Sequence, residues 1–185
     1  ATYMVISPEH AFIKKWVDAG LIKNADAVAA YQEEAARKSD FERTELNKDK
    51  TGVVIEGVKG INPVNGKQVP VFIGDFVLAS YGTGAVMAVP SHDQRDFEYA
   101  QVHNIPMIQV IDGADVSEHA FEKQDYLGKG CRLINSEEFT GLTVEEAKEA
   151  ITCKLEKAGV ARRKVNYHFR EWIFARQRYW GEPVP

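Results

Sequence analysis

Gly82-Thr83-Gly84-Ala85-Val86-Met87-Ala88-Val89-Pro90-Ser91-His92-Asp93-Gln94-Arg95-Asp96 passes from a glycine loop through an apolar run into a proline turn and a polar helix start. Glycine lets the loop take backbone angles that other residues resist. The apolar run from Ala85 to Val89 predicts a buried strand. Pro90 stops it, Ser91 is placed to cap, and a helix is predicted from about Asp93 to His103. Such a corner presents side chains from a strand end and a helix start to one cleft.

Outward from the corner the pattern stays strand-like toward the N-terminus, from Gly52 to Pro90. Val53, Val54 and Ile55 open it. Asn65-Gly66 is a strong short-range hairpin signal, and Val71 to Leu78 predicts the returning strand. Thr2 to Ile6 predicts a further strand. Ser7-Pro8-Glu9 then supplies a cap, a first-turn proline and an early acid for a helix that buries Phe12, Ile13, Trp16 and Val17 on one face. Asp26 to Ser39 predicts a second helix, and the charged run from Lys38 to Lys50 reads as a solvated segment. Beyond the corner, Ile105 to Ile111 and Cys131 to Ile134 predict strands, with a polar loop between them. Thr143-Val144-Glu145-Glu146 is a capping box for a helix that Gly159 ends. Strands in the middle with helices between and around them predict an α+β class, as a compact barrel-like sheet with peripheral helices. The pattern itself supports the class rather than the closure.

Composition narrows the function classes. Hydrophobic residues make up 44% and charged residues 27%, an ordinary globular balance. No apolar run is long enough to span a membrane, and no signal-peptide pattern opens the chain. Cys131 and Cys153 form no metal-binding spacing and no disulfide framework, so reduced cysteines in a cytoplasmic protein are expected. The net charge of −4 hides an asymmetry, because residues 160–185 hold six bases and two acids. That strip can touch a nucleic-acid backbone locally, while the acidic remainder repels one.

At the corner, Asp93 and Asp96 are three apart and share a helix face. Two carboxylates facing one way can hold an ammonium group, position water or bind a metal. Acids in a first helical turn also stabilise the helix dipole without any function. The glycines lack the Gly-Lys-Ser/Thr of a phosphate loop and suit an ordinary bulge. His92 has no second His at metal spacing, so no metal site is expected. Met87 suits core packing as readily as a substrate contact.

The stretch GTGAVMAVPSHDQRDFEYA, Gly82 to Ala100, resembles the substrate-pocket signature of the editing domains of bacterial-type leucyl-tRNA synthetases. Arg170-Glu171-Trp172 through Arg176-Gln177-Arg178-Tyr179-Trp180-Gly181 resembles the family's return from the editing insertion to the catalytic body. Ala1 to Pro8 resembles the strand that follows the family's threonine-rich motif. Isoleucyl and valyl relatives share the glycine-threonine-glycine loop, but they place a His at Met87 and lack the string His92 to Asp96. The resemblance thus divides the chain into an editing domain, 1–165, without the threonine-rich strand, and a linker, 166–185. The start at Ala1 reads as a segment of a longer protein.

The resemblance implies a function. An apolar pocket separates amino acids that differ by one methylene by only about 1–3 kcal/mol, so a second site hydrolyses the errors. That site would cleave norvaline, isoleucine or methionine from the leucine tRNA. Asp96 would anchor the substrate's α-ammonium, with Tyr81, Gly82, Thr83, Met87, Val89, His92, Asp93 and Arg95 forming the pocket. No metal or cofactor is implied here; ATP and Mg belong to the synthetic site of the parent enzyme, whose H-x-G-H and K-M-S-K-S strings this chain lacks. The implied partners are the 3′ end of mischarged tRNA and the rest of the synthetase in cis, in a cytoplasmic monomer without membrane contact. Two alternatives remain open: an isoleucyl or valyl editing domain, and a non-catalytic RNA-binding module built on the basic aromatic tail.

Overall fold

A computed structural model describes residues 1–44, 51–80, 82–113, 115–126 and 129–165. The expected linker 166–185 and Tyr81 lie outside the described residues. The chain forms β1 (Tyr3–Ile6), α1 (Ala11–Asp18), α2 (Ala25–Ala36), α3 (Asp40–Thr44), β2 (Val53–Ile61), β3 (Gln68–Ile73), β4 (Ala85–Ala88), α4 (Gln94–Val102), α5 (Lys123–Tyr126), a 3-10 turn at Glu137–Phe139 and α6 (Val144–Lys157).

The strands make one sheet in the order β2-β3-β1-β4. β1 pairs parallel with β3, Val5 opposite Phe72, and antiparallel with β4, Tyr3 opposite Ala88. The α+β class holds, and the sheet is open rather than closed among the described residues. β1 is apolar and almost wholly buried because both of its faces are covered. Alternation sends Tyr3, Val5 and Phe72 to one side, where they pack on Tyr99 and Ala100 of α4. Ile6, Val71 and Ile73 go to the other, against Ile13 of α1 and Val28 and Tyr31 of α2. A third cluster, including Ile111, Phe121, Leu133 and Phe139, is roofed by Val144 and Ala147 of α6.

Several local expectations change. The cap of α1 is His10, whose Nδ1 accepts from the Phe12 N–H at 3.2 Å, while Ser7 is fully buried with no partner for its hydroxyl. Within α1 only Ile13 is fully buried, and Phe12 and Val17 stay exposed. The Asn65-Gly66 pair sits in the β2–β3 connection, Gly66 at φ +71°, so the hairpin forms with a six-residue loop, 62–67. The strand expected through Leu78 ends at Ile73. Ile105 to Ile111 and Cys131 to Ile134 contribute only isolated bridges, Ile111 to Leu133 and Arg132 to Thr143. The charged run after Lys38 is not simply solvated: it supplies α3, and Arg43 is buried. The capping box at Thr143 forms with both of its bonds, and Gly159 follows α6 at φ +71°.

Candidate substrate site at the strand-to-helix corner

β4 leads into the corner as an edge strand. Its position leaves Val86 and Met87 exposed, 38% and 64%, so the expectation of a buried run is corrected: only Ala88 is buried. The bulk of β1 covers one edge of β4, and among the described residues no strand covers the other. The turn 89–92 is closed by the His92 N–H donating to the Val89 carbonyl at 3.0 Å. Helix α4 is capped by Asp93, whose Oδ1 accepts from the N–H groups of Arg95 and Asp96, both at 3.0 Å. Ser91, the expected cap, is instead fully buried with an unpartnered hydroxyl. An Asp at this position also complements the positive end of the helix.

Asp96 lies half-buried in the first turn of α4. Its Oδ2 accepts from the Val89 N–H at 3.0 Å, which ties the strand end to the helix. Oδ1 stands 3.5 Å from the Tyr3 hydroxyl, which is 3.4 Å from the Asp96 carbonyl. Tyr3 is fully buried and stacked on Tyr99. Burial first, and then the Asp96 charge, push its phenol well above the usual range. Tyr3 therefore remains a neutral donor beneath the carboxylate. Sequence reading missed it, because nothing local connects positions 93 residues apart. A carboxylate has about four lone-pair sites, so this one can bond the backbone and still receive an ammonium group.

The other expected site residues divide into groups. Val89, His92, Asp93 and Asp96 are linked at the corner by the bonds above. Arg95 is exposed beside them, and Gly82 and Thr83 are exposed at the loop, with Gly82 at φ +63°. Met87 lines a cavity of about 360 Å³, together with Ala1, Val64, Val110, Leu133 and Phe139. Lys154 and Glu138, 2.6 Å apart, stand at the polar part of its wall. His92 faces away from any open role: both of its ring nitrogens are within hydrogen-bond distance of backbone groups. Among the described residues no three His, Cys, Asp or Glu side chains gather as a metal-holding group.

These features define a mixed α+β domain with a carboxylate at a strand-to-helix corner and an apolar cavity beside the adjoining edge strand. Residues 1–156 match the family described as leucyl-tRNA synthetase, editing domain, and the chain belongs to that family. It is 54% identical along its whole length to a leucine–tRNA ligase of Alkaliphilus oremlandii and 50% identical to one of Chloroherpeton thalassium. The chain spans 22% of the length of each of these curated relatives. Its fold is similar to part of an Agrobacterium radiobacter LeuRS solved in a ternary complex with tRNA and LeuAMS. The TM-score is 0.58 at 25% identity, over 85% of this chain and 15% of that one. The isoleucyl and valyl alternatives give way to the leucyl family. No helix among the described residues is long and apolar enough to cross a membrane.

Proposed function

We propose that this domain hydrolyses the ester between a wrong amino acid and the leucine tRNA, with norvaline, isoleucine and methionine as the amino acids removed. The observation that carries the reading is the half-buried Asp96 carboxylate, held at the corner by the Val89 N–H. Such a group can take the substrate's α-ammonium in a charge-assisted hydrogen bond. Gly82, Thr83, Met87, Val89, Asp93 and Arg95 form the surroundings of the amino acid and the terminal adenosine, to which the resemblance adds Tyr81. Met87 suits the amino-acid side chain, because it is an exposed, adaptable apolar group at a cavity. No metal or cofactor is assigned to the site.

The protein that carries the domain attaches leucine to its tRNA with ATP and Mg at a synthetic site elsewhere. It acts in the cytoplasm as a monomer and brings the tRNA 3′ end from that site to this one. The test is Asp96→Ala in the full-length ligase. Deacylation of mischarged leucine tRNA should fall at least roughly 100-fold, while leucylation persists. Full deacylation by the variant would remove Asp96 from the site, and equal loss of both activities would point to misfolding.

A further inference from the structure

We infer that His92 is a positioning residue for this reaction: its imidazole clamps residues 110 and 121 onto the corner that carries Asp96. The inference rests on the reading of Asp96 given above.

The geometry defines the imidazole's state. Nε2 lies 3.2 Å from the Val110 backbone nitrogen, whose N–H can only donate. Nδ1 lies 2.9 Å from the Phe121 carbonyl oxygen, which can only accept. A neutral imidazole has one donor and one acceptor, so the proton sits on Nδ1 and the Nε2 lone pair takes the Val110 N–H. Neither nitrogen is left to activate water. The ring is also packed edge-on to Tyr126 at 6.0 Å and tilted against Phe121 at 6.4 Å.

Its neighbours reinforce the grip. The Phe121 N–H donates to the Ser91 carbonyl at 2.9 Å, and the Ala120 N–H donates to Gln94 Oε1 at 3.0 Å. On its other side the His92 N–H holds the Val89 carbonyl, and the Val89 N–H holds Asp96. Val110 lines the same cavity as Met87, and its carbonyl accepts from the Ile134 N–H at 2.9 Å. One residue therefore links the two: its ring holds Val110 of the cavity wall, and its backbone holds Val89, which holds the carboxylate. Releasing the ring lets the wall shift relative to Asp96 while the residues of the site stay intact.

The test combines hydrogen exchange with steady-state deacylation in the full-length ligase. His92→Phe keeps an aromatic ring and loses both polar ties. His92→Gln returns an acceptor at the reach of Nε2. In the Phe variant, amides of residues 107–113 and 115–121 should exchange roughly 10-fold faster. Deacylation kcat should fall roughly 10-fold with KM changed less, because the ester is held but misplaced. The Gln variant should recover much of both. Unchanged exchange in the Phe variant overturns the clamp. Faster exchange with undiminished kcat overturns its part in the reaction. Asp96→Ala run alongside separates the two ideas: deacylation at the wild-type rate there sinks the site reading, while exchange still decides the clamp.

Discussion

Two half-buried imidazoles give the domain a defined response to acid. Burial is the main cause that holds His92 below its ordinary value, against the opposing pull of its bond to the Phe121 carbonyl. Of the ionisable groups on neighbouring elements, Tyr126 stands edge-on to the ring as a half-buried phenol that burial keeps protonated, while Asp93 accepts from the N–H groups of α4 and Glu122 from the Gln94 N–H. His103 packs on Tyr99 at 4.2 Å and Phe72 at 5.3 Å, and burial lowers it too. Above the ordinary value of 6.5 both rings are neutral, folded or unfolded. As pH falls below it, the unfolded chain binds protons that the folded chain resists, so stability drops through the lowered folded values. Glu146, held low by its bonds to Thr143, acts only further down, below 4.5. The urea midpoint should therefore be lower at about pH 5.5 than at about pH 7.5. The difference should shrink when both His92 and His103 are replaced by Gln. A midpoint flat across that interval would contradict this account. None of it is legible at the residue itself: the partners of His92 lie 18 and 29 positions away.

At the scale of elements, β2 shows how a strand of good β-formers acquires an irregularity with a purpose. Its register against β3 shifts between Val54 and Lys59. Gly57 sits within that shift at φ +94°, and a Cβ there would collide with the Leu21 carbonyl. The neighbouring Glu56 carbonyl accepts from the Lys23 N–H at 2.9 Å. The bulge thus seats the α1–α2 loop against the sheet. Gly57→Ala should cost about 2 kcal/mol or more, from the positive φ and the close approach together. Equilibrium denaturation measures it, and a loss under about 0.5 kcal/mol would show that the loop yields freely. By contrast, α6 was legible in full, because the capping box and Gly159 act through backbone groups a few residues away. The edge position of β4 was not legible. An apolar run looks the same whether both of its faces are covered or only one.

At the scale of the molecule, Arg43 joins parts that are distant along the chain. Its Nη1 and Nη2 reach Glu9 at 2.8 and 3.3 Å, Nε reaches the Asp75 carbonyl at 2.7 Å, and Nη2 reaches the Val77 carbonyl at 3.1 Å. It thereby fastens α3 to the loop before α1 and to the turn after β3. Glu9 is 45% exposed, so solvent weakens that ion pair, and the larger effect comes from the buried carbonyls. Arg43→Met fills the space with an apolar chain and takes its donors away from both carbonyls. It should lower stability by about 2–4 kcal/mol within a single cooperative transition. Calorimetry checks both points; a split transition would mean that α3 and its partners melt as a separate unit.

What the sequence by itself determined were the features decided by short-range forces. The α+β class follows from the two hydrophobic periods, and α6 from its capping box. The turn follows from Gly66, whose positive φ other residues resist. The string from Gly82 to Ala100 also carried the family, because it is long and specific. Tertiary structure alone decided that β1 lies between β3 and β4, and that the sheet stays open among the described residues. It also decided that Arg43 is buried, that Tyr3 lies beneath Asp96, and that His92 spends both nitrogens on backbone groups. These are contacts between residues far apart in the chain. Their free energy depends on which surfaces meet and how much water they exclude, and no local spacing encodes that meeting.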